Sequence, residues 1–321
     1  MLMIPISKSA CTRVARALAL VLAALLPAQA FELPAASSQC LVGIADTWNS
    51  SAATLRLYQK SGGQWKPDGP AWPCRLGKNG LVWGSGHHPV PAGATTKQEG
   101  DQRSPAGVFS IGGAWGYQPA IRKHPQLYYR QVTSRDLWIE DPASPQYNRN
   151  VILDHEPATP WETKQQMKQS DPAHALKLFI AHNAPPHAVP NAGSSIFFHI
   201  WRGGGSRATA GCTSMDETKL RMLIARIDPS RHPLYLLLPK TEYEKFRTAW
   251  KLPQYGPVPV FQHCRDLCGC IYEVERGQQD PCWHGDCRNR GQSVRMPMDG
   301  ESCAAASFRD SLAGASGDAR S

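Results

Sequence analysis

The 321-residue sequence lacks several features that would assign it to common protein classes. After residue 30 no apolar run approaches the length of about 20 residues that a membrane-spanning helix requires. No internal repeat is visible, and the basic residues are scattered rather than clustered, so nucleic acid is not an expected partner. These absences favour a globular protein without an integral membrane segment.

The first 30 residues contain no acidic residue and have the pattern of a secretory signal peptide. Lys8, Arg13 and Arg16 form a basic start, an apolar stretch covers Ala17–Leu26, and Ala28–Ala30 provides a small-residue cleavage site. We therefore expect export to the periplasm or the exterior. Removal of three basic residues lowers the net charge from +9 to about +6. Such a charge suits an anionic cell-wall polymer, although it is equally compatible with simple solubility.

Cysteine is abundant, and its count is informative. Of ten cysteines, Cys11 lies in the signal segment, which leaves an odd number in an oxidising compartment. Six of them lie near the carboxyl end: Cys264, Cys268, Cys270, Cys282, Cys287 and Cys303. Pairing of Cys40 with Cys74 would then leave Cys212 as the free thiol.

Residues 257–303 are predicted to form a small module held by disulfides, because their apolar content is too low for a core. Zinc is the alternative, since His263 and His284 lie among the cysteines. The compartment and the even count favour disulfides, whose connectivity is open, and we assign no metal and no cofactor. Residues 304–321, rich in Ala, Ser, Gly and Asp, are predicted to be disordered.

Residues 39–252 have the pattern of one mainly β domain, a β-sandwich or barrel with inserted helices. Short apolar segments separated by turn residues predict strands at 41–44, 55–58, 108–111, 127–132, 137–139, 151–153, 176–181, 196–201 and 234–238. Helical spacing and capping signals predict helices at 159–169, 217–227 and 241–250. Thr159 and Glu162 mark a capped start of the first helix, and Thr241 and Glu244 have the spacing of a capping box in the third.

Cys212 follows a strand and a glycine-rich loop, Gly203–Gly205. Ser214 and Glu217 have the spacing of a capping box, which predicts a helix that starts immediately after the cysteine. The exposed N–H groups and dipole at a helix N-terminus favour thiolate over thiol. On this argument Cys212 is a candidate nucleophile rather than a small buried hydrophobic residue.

Acyl transfer by a thiolate needs a base, a group that orients the base, and donors for the oxyanion. His199, on the strand before the loop, is the candidate base. The amides of Gly211 and Cys212 are the candidate oxyanion donors. No Asp or Asn is evident to orient the imidazole, so a backbone carbonyl near Ile200 is expected to do so.

His199 and the run Thr209-Ala210-Gly211-Cys212 together resemble the signature of YkuD-like L,D-transpeptidases, in which a histidine precedes Ser/Thr-His-Gly-Cys. Three further segments are similar to that family: Arg103–Phe109, Asp141–Arg149 and Ala181–Asn183. The resemblance covers roughly residues 41–239. It implies a mostly β fold with a cysteine nucleophile and a histidine base. The resemblance also implies the reaction of that family, in which the thiolate attacks the carbonyl of the L-centre of diaminopimelate in a peptidoglycan stem, expels D-alanine and passes the acyl group to an amine.

This sequence departs from the family pattern at Ala210, which replaces histidine, and in the Gly-Cys-x-x-Met ending that concludes at Met215. A divergent branch with that ending includes members that hydrolyse wall-linked peptides. The predicted partners are peptidoglycan stem peptides and, as a second candidate, a wall-linked lipoprotein. The alternatives are an L,D-carboxypeptidase or amidase-type hydrolase, and a non-catalytic wall-binding protein.

Three more residues are candidates for binding substrate. Arg202 could bind a stem-peptide carboxylate with two hydrogen bonds, although an exposed arginine at a strand end is common. Thr209 either hydrogen-bonds the motif or shapes its turn. His182 either faces the same cleft or is structural.

Overall fold

The computed structural model describes residues 31–255, together with two short strands at 287–289 and 292–294. The predicted signal peptide, most of the cysteine-rich module and the tail at 304–321 lie outside these residues. Within that module Cys287–Asn289 pairs antiparallel with Gln292–Val294. Among the described residues no helix has the length and apolar character to cross a bilayer.

The main domain is predominantly β, as predicted. Its strands are β1 (Gln39–Ala45), β2 (Ala52–Ser61), β3 (Gln64–Pro67), β4 (Trp72–Arg75), β5 (Leu81–Trp83), β6 (Ser104–Gly116), β7 (Tyr129–Gln131), β8 (Asp136–Trp138), β9 (Asn150–Ile152), β10 (Leu176–Ile180), β11 (Phe197–Ile200), β12 (Thr213–Met215) and β13 (Leu234–Pro239). The strands described after residue 255 are β14 (Cys287–Asn289) and β15 (Gln292–Val294). All nine predicted strands are present. The prediction missed β3, β4, β5 and β12, which are short.

The principal sheet closes into a barrel. Its strands follow the order β1-β13-β6-β10-β11-β12-β4-β2, and a further pairing of β2 with β1 closes the ring. The strand β1 is buried along its whole length, which explains its unbroken apolar sequence, whereas β2 alternates between buried and half-exposed positions. The pairs β1–β13 and β11–β12 are parallel.

Within residues 31–255 the structure has three α-helices: α1 (Pro160–Lys164), α2 (Glu217–Arg226) and α3 (Lys240–Phe246). The capping box predicted for α1 is present, with Thr159 and Glu162 bonding each other's backbone N–H. For α2 the predicted cap was wrong, because Asp216 caps the helix and Ser214 belongs to β12. In α3 the residue before the first turn is Pro239, so the predicted box of Thr241 and Glu244 is absent too.

Two apolar clusters lie on opposite faces of β10 and β11. The larger cluster fills the barrel and receives Leu178 and Phe198, together with Leu220 and Leu223 of α2. A smaller cluster on the other face is formed by Trp115, Val132, Trp138, Met167 and Phe197, with Phe179 and Cys212 packed against it. The segment that carries β8, β9 and α1 therefore covers part of the face to which Cys212 belongs.

The predicted disulfide between Cys40 and Cys74 was wrong, since both are buried free thiols. Cys40 of β1 is opposite Tyr58 of β2 in the sheet. Cys74 of β4 is opposite Ala53 on the other edge of β2. Positions 53 and 58 lie roughly 16 Å apart along β2, at about 3.3 Å per residue. A disulfide requires Cα atoms within about 7 Å.

Candidate active site

Cys212 lies between Gly211 and the first residue of β12, not at the N-terminus of a helix. Its neighbours Thr213–Met215 form β12 between β11 and β4, and α2 begins only at Glu217. The predicted stabilisation of the thiolate by a helix dipole is therefore wrong, because the dipole acts within about one turn. The pairing of β12 with two strands outweighs the local preference of Ser214 for a helix cap.

The loop before Cys212 is held by hydroxyl groups. Thr209 Oγ1 donates to the Cys212 carbonyl at 2.6 Å and accepts the Gly211 N–H at 3.1 Å. Ser104, fully buried, donates to the carbonyls of Gly211 and Cys212 and accepts from Gly77 N–H. Gly211 has φ of 141°, and a Cβ there would meet the Arg103 carbonyl at 3.0 Å, so only glycine fits.

These contacts correct two site predictions. The N–H of Gly211 is already bonded to Thr209, so it is not a free oxyanion donor in this state. The hydroxyl of Thr209 donates one hydrogen bond and accepts another within the loop, and Thr209 is buried. These properties do not fit a contact with substrate. Thr209 instead hydrogen-bonds within the motif and so shapes its turn, which combines the two roles weighed for it.

The sulfur of Cys212 contacts the backbone of β11 and of the residues before it. Phe197 N–H donates to Sγ at 3.4 Å, and the thiol donates to the Ser195 carbonyl at 3.4 Å. Burial raises the pKa of this thiol, while the Phe197 N–H and the charge of Lys177 lower it. The sulfur is therefore a protonated thiol at rest and needs a base to become a nucleophile.

His199 has the orientation that such a base requires. Its Nδ1 lies 2.7 Å from the Ile200 carbonyl, which can only accept, so Nδ1 carries the hydrogen and Nε2 has the lone pair. Burial, with smaller contributions from Arg202 and Lys177, lowers the pKa of His199 to about 4. The imidazole is consequently neutral at pH 7, and the carbonyl that orients it is the one expected from the sequence.

Strand register places His199 and Cys212 on the same face of the sheet. In the parallel pair β11–β12, Phe198 is opposite Thr213 and His199 is opposite Ser214. Cys212 precedes β12, and its sulfur lies beside Phe197, which alternates to the same face as His199. Diagonal neighbours on one face are about 7–8 Å apart at their Cα atoms, within reach of an imidazole. No hydrogen bond joins the two side chains in the described structure, so the thiol must turn from Ser195 toward Nε2 to react.

Arg202 is engaged with other residues of the chain. Its guanidinium forms an ion pair with Asp171 and donates to Nε2 of His174 at 3.0 Å. The His174 ring stacks on His199, with centroids 5.1 Å apart and planes 24° from parallel. Burial and the nearby cations lower the pKa of His174 to about 3, so it is neutral. In this state Arg202 contributes to the position of the His199 imidazole through His174, and the predicted substrate carboxylate would have to displace Asp171.

Comparison with known protein families identifies the family of the main domain. The profile described as YkuD, L,D-transpeptidase catalytic domain, matches residues 48–236, more than half of the sequence. The chain belongs to the YkuD family. Membership supports a peptidoglycan-modifying function of the L,D-transpeptidase type. No curated protein sequence matches the chain.

Two solved structures are similar to this YkuD chain at low identity. The helical cell shape determining protein Pgp2 from Campylobacter jejuni has 14% identity and a TM-score of 0.31, and the match covers 63% of this chain and 48% of Pgp2. A point mutant of the same Pgp2 has 13% identity and a TM-score of 0.32, with coverages of 66% and 50%. The chain thus spans about half the length of these proteins.

His182 has no ring nitrogen left for a ligand. Its Nδ1 accepts from Ser85 N–H at 3.1 Å and its Nε2 donates to the Ala192 carbonyl at 2.9 Å, and the residue is buried. This geometry does not fit a contact with substrate. It fits the structural role, which was the alternative interpretation of His182. Its carbonyl accepts from Asn148 Nδ2, and Asn148 Oδ1 accepts the N–H of Ser195.

Asn148 therefore links two of the YkuD-like segments to the thiol, because the Ser195 carbonyl accepts from Cys212. Sequence reasoning assigned no role to Asn148 or to Ser104, although both lie inside segments noted as similar to the family. It also missed Lys177, a buried lysine opposite His199 in the pair β10–β11. Among the described residues no group of three or more His, Cys, Asp or Glu side chains is arranged to hold a metal ion.

Proposed function

We propose that this protein is an exported cysteine acyltransferase of the L,D-transpeptidase type that acts on peptidoglycan stem peptides. The observation that carries the proposal is that a thiol and an oriented, neutral imidazole lie on one face of the sheet. The free lone pair of His199 Nε2 and the sulfur of Cys212 are the two groups that the chemistry requires. Membership of the YkuD family supplies the substrate class.

In the first half-reaction Nε2 of His199 takes the proton from the Cys212 thiol. The sulfur then attacks the carbonyl carbon of the peptide bond between diaminopimelate and D-alanine. The oxyanion faces the Cys212 N–H, whereas the Gly211 N–H would have to leave Thr209 to assist. The imidazolium returns its proton to the amine of D-alanine as the C–N bond breaks, and a thioester remains on Cys212.

The second half-reaction decides between transfer and hydrolysis. An amine attacks the thioester, with Nε2 of His199 now taking the amine's proton, and the thiol is restored when the C–S bond breaks. Water in place of the amine would give an L,D-carboxypeptidase. The two reactions share every residue discussed above, so the acceptor must be determined by experiment.

The test uses the mature protein, residues 31–321, incubated with disaccharide-tetrapeptides and analysed by mass spectrometry. We expect release of D-alanine and a cross-linked product, and neither with the Cys212→Ala or His199→Gln variant. A tripeptide without cross-links would assign hydrolysis. If the wild-type protein binds the muropeptides and leaves them intact, the protein is a wall-binding protein and the proposal is wrong.

A further inference from the structure

Lys177 is a charged residue in the middle of a buried strand. The sequence of β10, Leu176–Ile180, is otherwise apolar, and Leu176 and Leu178 pack into the barrel core. Lys177 points to the opposite face, where it is directly across from His199. The residue is only 4% exposed, so its ammonium group has largely lost its hydration.

The contacts of Lys177 place its ammonium in the cluster that holds the thiol. Its Nζ donates to the Met167 carbonyl at 3.1 Å and lies 5.7 Å from the centre of the Phe197 ring. The same Phe197 donates its N–H to Cys212 Sγ at 3.4 Å. Lys177 and Cys212 therefore share Phe197 as a neighbour. One carbonyl and one aromatic face are a sparse environment for a buried ammonium with three donors.

Among the nearby cations, Lys177 acts most strongly on the Cys212 thiol. The negative charge of a Cys212 thiolate raises the pKa of Lys177. The negative charge of Glu140 does the same to a smaller extent. Lys97 also acts on Cys212, more weakly than Lys177, and it is already paired with Asp101. Glu140 opposes Lys177, because its carboxylate raises the pKa of the thiol. His199 and His174, on the same face, are neutral imidazoles at pH 7. Burial lowers the pKa of Lys177 to about 8, so it is mostly charged at pH 7.

We propose that the Lys177 ammonium is the counter-ion of the Cys212 thiolate that forms when His199 removes the thiol proton. Lys177 keeps its own proton throughout, and no bond to it is made or broken. It replaces the helix N-terminus that the sequence suggested for this task. The inference rests on Cys212 being the nucleophile of the proposed function, but not on the identity of the substrate.

The experiment measures alkylation of Cys212 by iodoacetamide at pH 7, since only the thiolate reacts. The tryptic peptide of residues 208–219 contains Cys212 and no other cysteine, so mass spectrometry of the full mature chain reads this thiol alone. In Lys177→Met we expect the alkylation rate to fall at least about tenfold, equivalent to a rise of one unit in the pKa of the thiol. Lys177→Arg should retain at least about half of the wild-type rate, because arginine stays charged.

Lys168→Met is the matched control, because Lys168 is exposed and adjoins Met167, the residue whose carbonyl binds Lys177. It should alkylate at the wild-type rate. Lys177→Gln provides a second neutral replacement in case Lys177→Met does not fold, and thermal unfolding of every variant checks this. Both neutral variants should behave alike.

An unchanged rate in folded Lys177→Met or Lys177→Gln would overturn the proposal. A loss in Lys177→Arg as large as in the neutral variants would overturn it too, because it would make Lys177 a proton acceptor. Alkylation needs no substrate, so the result is independent of turnover. If the rate depends on Lys177 while tetrapeptides remain intact, the counter-ion stands and the proposed function fails.

Discussion

The two faces of strands β10, β11 and β12 perform different tasks with alternate residues of the same short segments. On one face Phe198 packs against Tyr235 with ring centroids 4.7 Å apart, and Thr213 bonds the Tyr235 hydroxyl at 3.0 Å. On the other face Lys177, His199 and Cys212 lie around a small aromatic cluster. One face closes the barrel core and the other carries the residues proposed to be catalytic.

This difference means that stability and activity can be separated by changing residues that are neighbours in sequence. Side chains at successive positions of a strand point to opposite faces, so Phe198 and His199 have almost no shared surroundings. Changes on the core face should lower the free energy of unfolding. Changes on the other face should lower turnover and alter its pH dependence.

The largest expected effect is that of Cys212→Ala on turnover of muropeptides. Loss of the nucleophile should lower kcat by at least about a thousandfold, while the free energy of unfolding changes by less than about 1.5 kcal/mol. Cys74→Ala is the matched control, because this buried thiol lies in the large core. It should cost about 1–2 kcal/mol of stability and leave kcat within about twofold. Equal activity of the two variants would contradict the assignment.

Phe198→Ala should reduce stability more than any other change considered. The ring is fully buried in the barrel core, and its removal is expected to cost about 3–5 kcal/mol of unfolding free energy. Phe179→Ala on the site face, where the ring is only half-buried, should cost clearly less. Urea unfolding of both variants measures the difference. Similar losses would show that the two faces are equally important for stability.

Ser104→Ala tests the support of the cysteine loop. The change leaves the buried Gly77 N–H without its acceptor and frees the carbonyls of Gly211 and Cys212. We expect a loss of about 1–3 kcal/mol in stability and a fall of about tenfold in kcat, because the nucleophile is less well positioned. Ser61→Ala, at an exposed strand end, should change neither quantity. Wild-type kcat in Ser104→Ala would remove Ser104 from the positioning of Cys212.

Arg202→Gln should produce the smallest and most specific change. The wild-type acid limb of kcat/KM is expected near pH 4, because His199 must be neutral and burial lowers its pKa to about 4. Loss of the nearby positive charge makes protonation easier, so the limb should move up by a few tenths to one pH unit. Activity at pH 5 should then fall relative to pH 7. The exposed Arg207→Gln in the same loop should leave the profile in place, and a uniform loss at all pH values would indicate a purely structural role for Arg202.

Much of the fold followed from local sequence patterns. The apolar segments that became β1, β2, β6, β10, β11 and β13 were evident because buried strands are enriched in apolar and β-branched residues. Helix α2 began and ended close to its predicted residues, whereas α1 has its predicted cap but ends at Lys164, five residues before the predicted end. Strand β12 was missed because three residues between a loop and a helix show no period, and its pairing partners are distant in sequence.

The proposed nucleophile, the proposed base and the carbonyl that orients its imidazole could be predicted from the sequence because they lie within fourteen residues of one another, from His199 to Cys212. Only the tertiary structure brought Lys177 opposite His199, Ser104 under the cysteine loop, and Arg202 onto His174. It also separated Cys40 from Cys74. A sequence determines which side chains alternate along a strand, but the residues they meet depend on the register between strands remote in the chain.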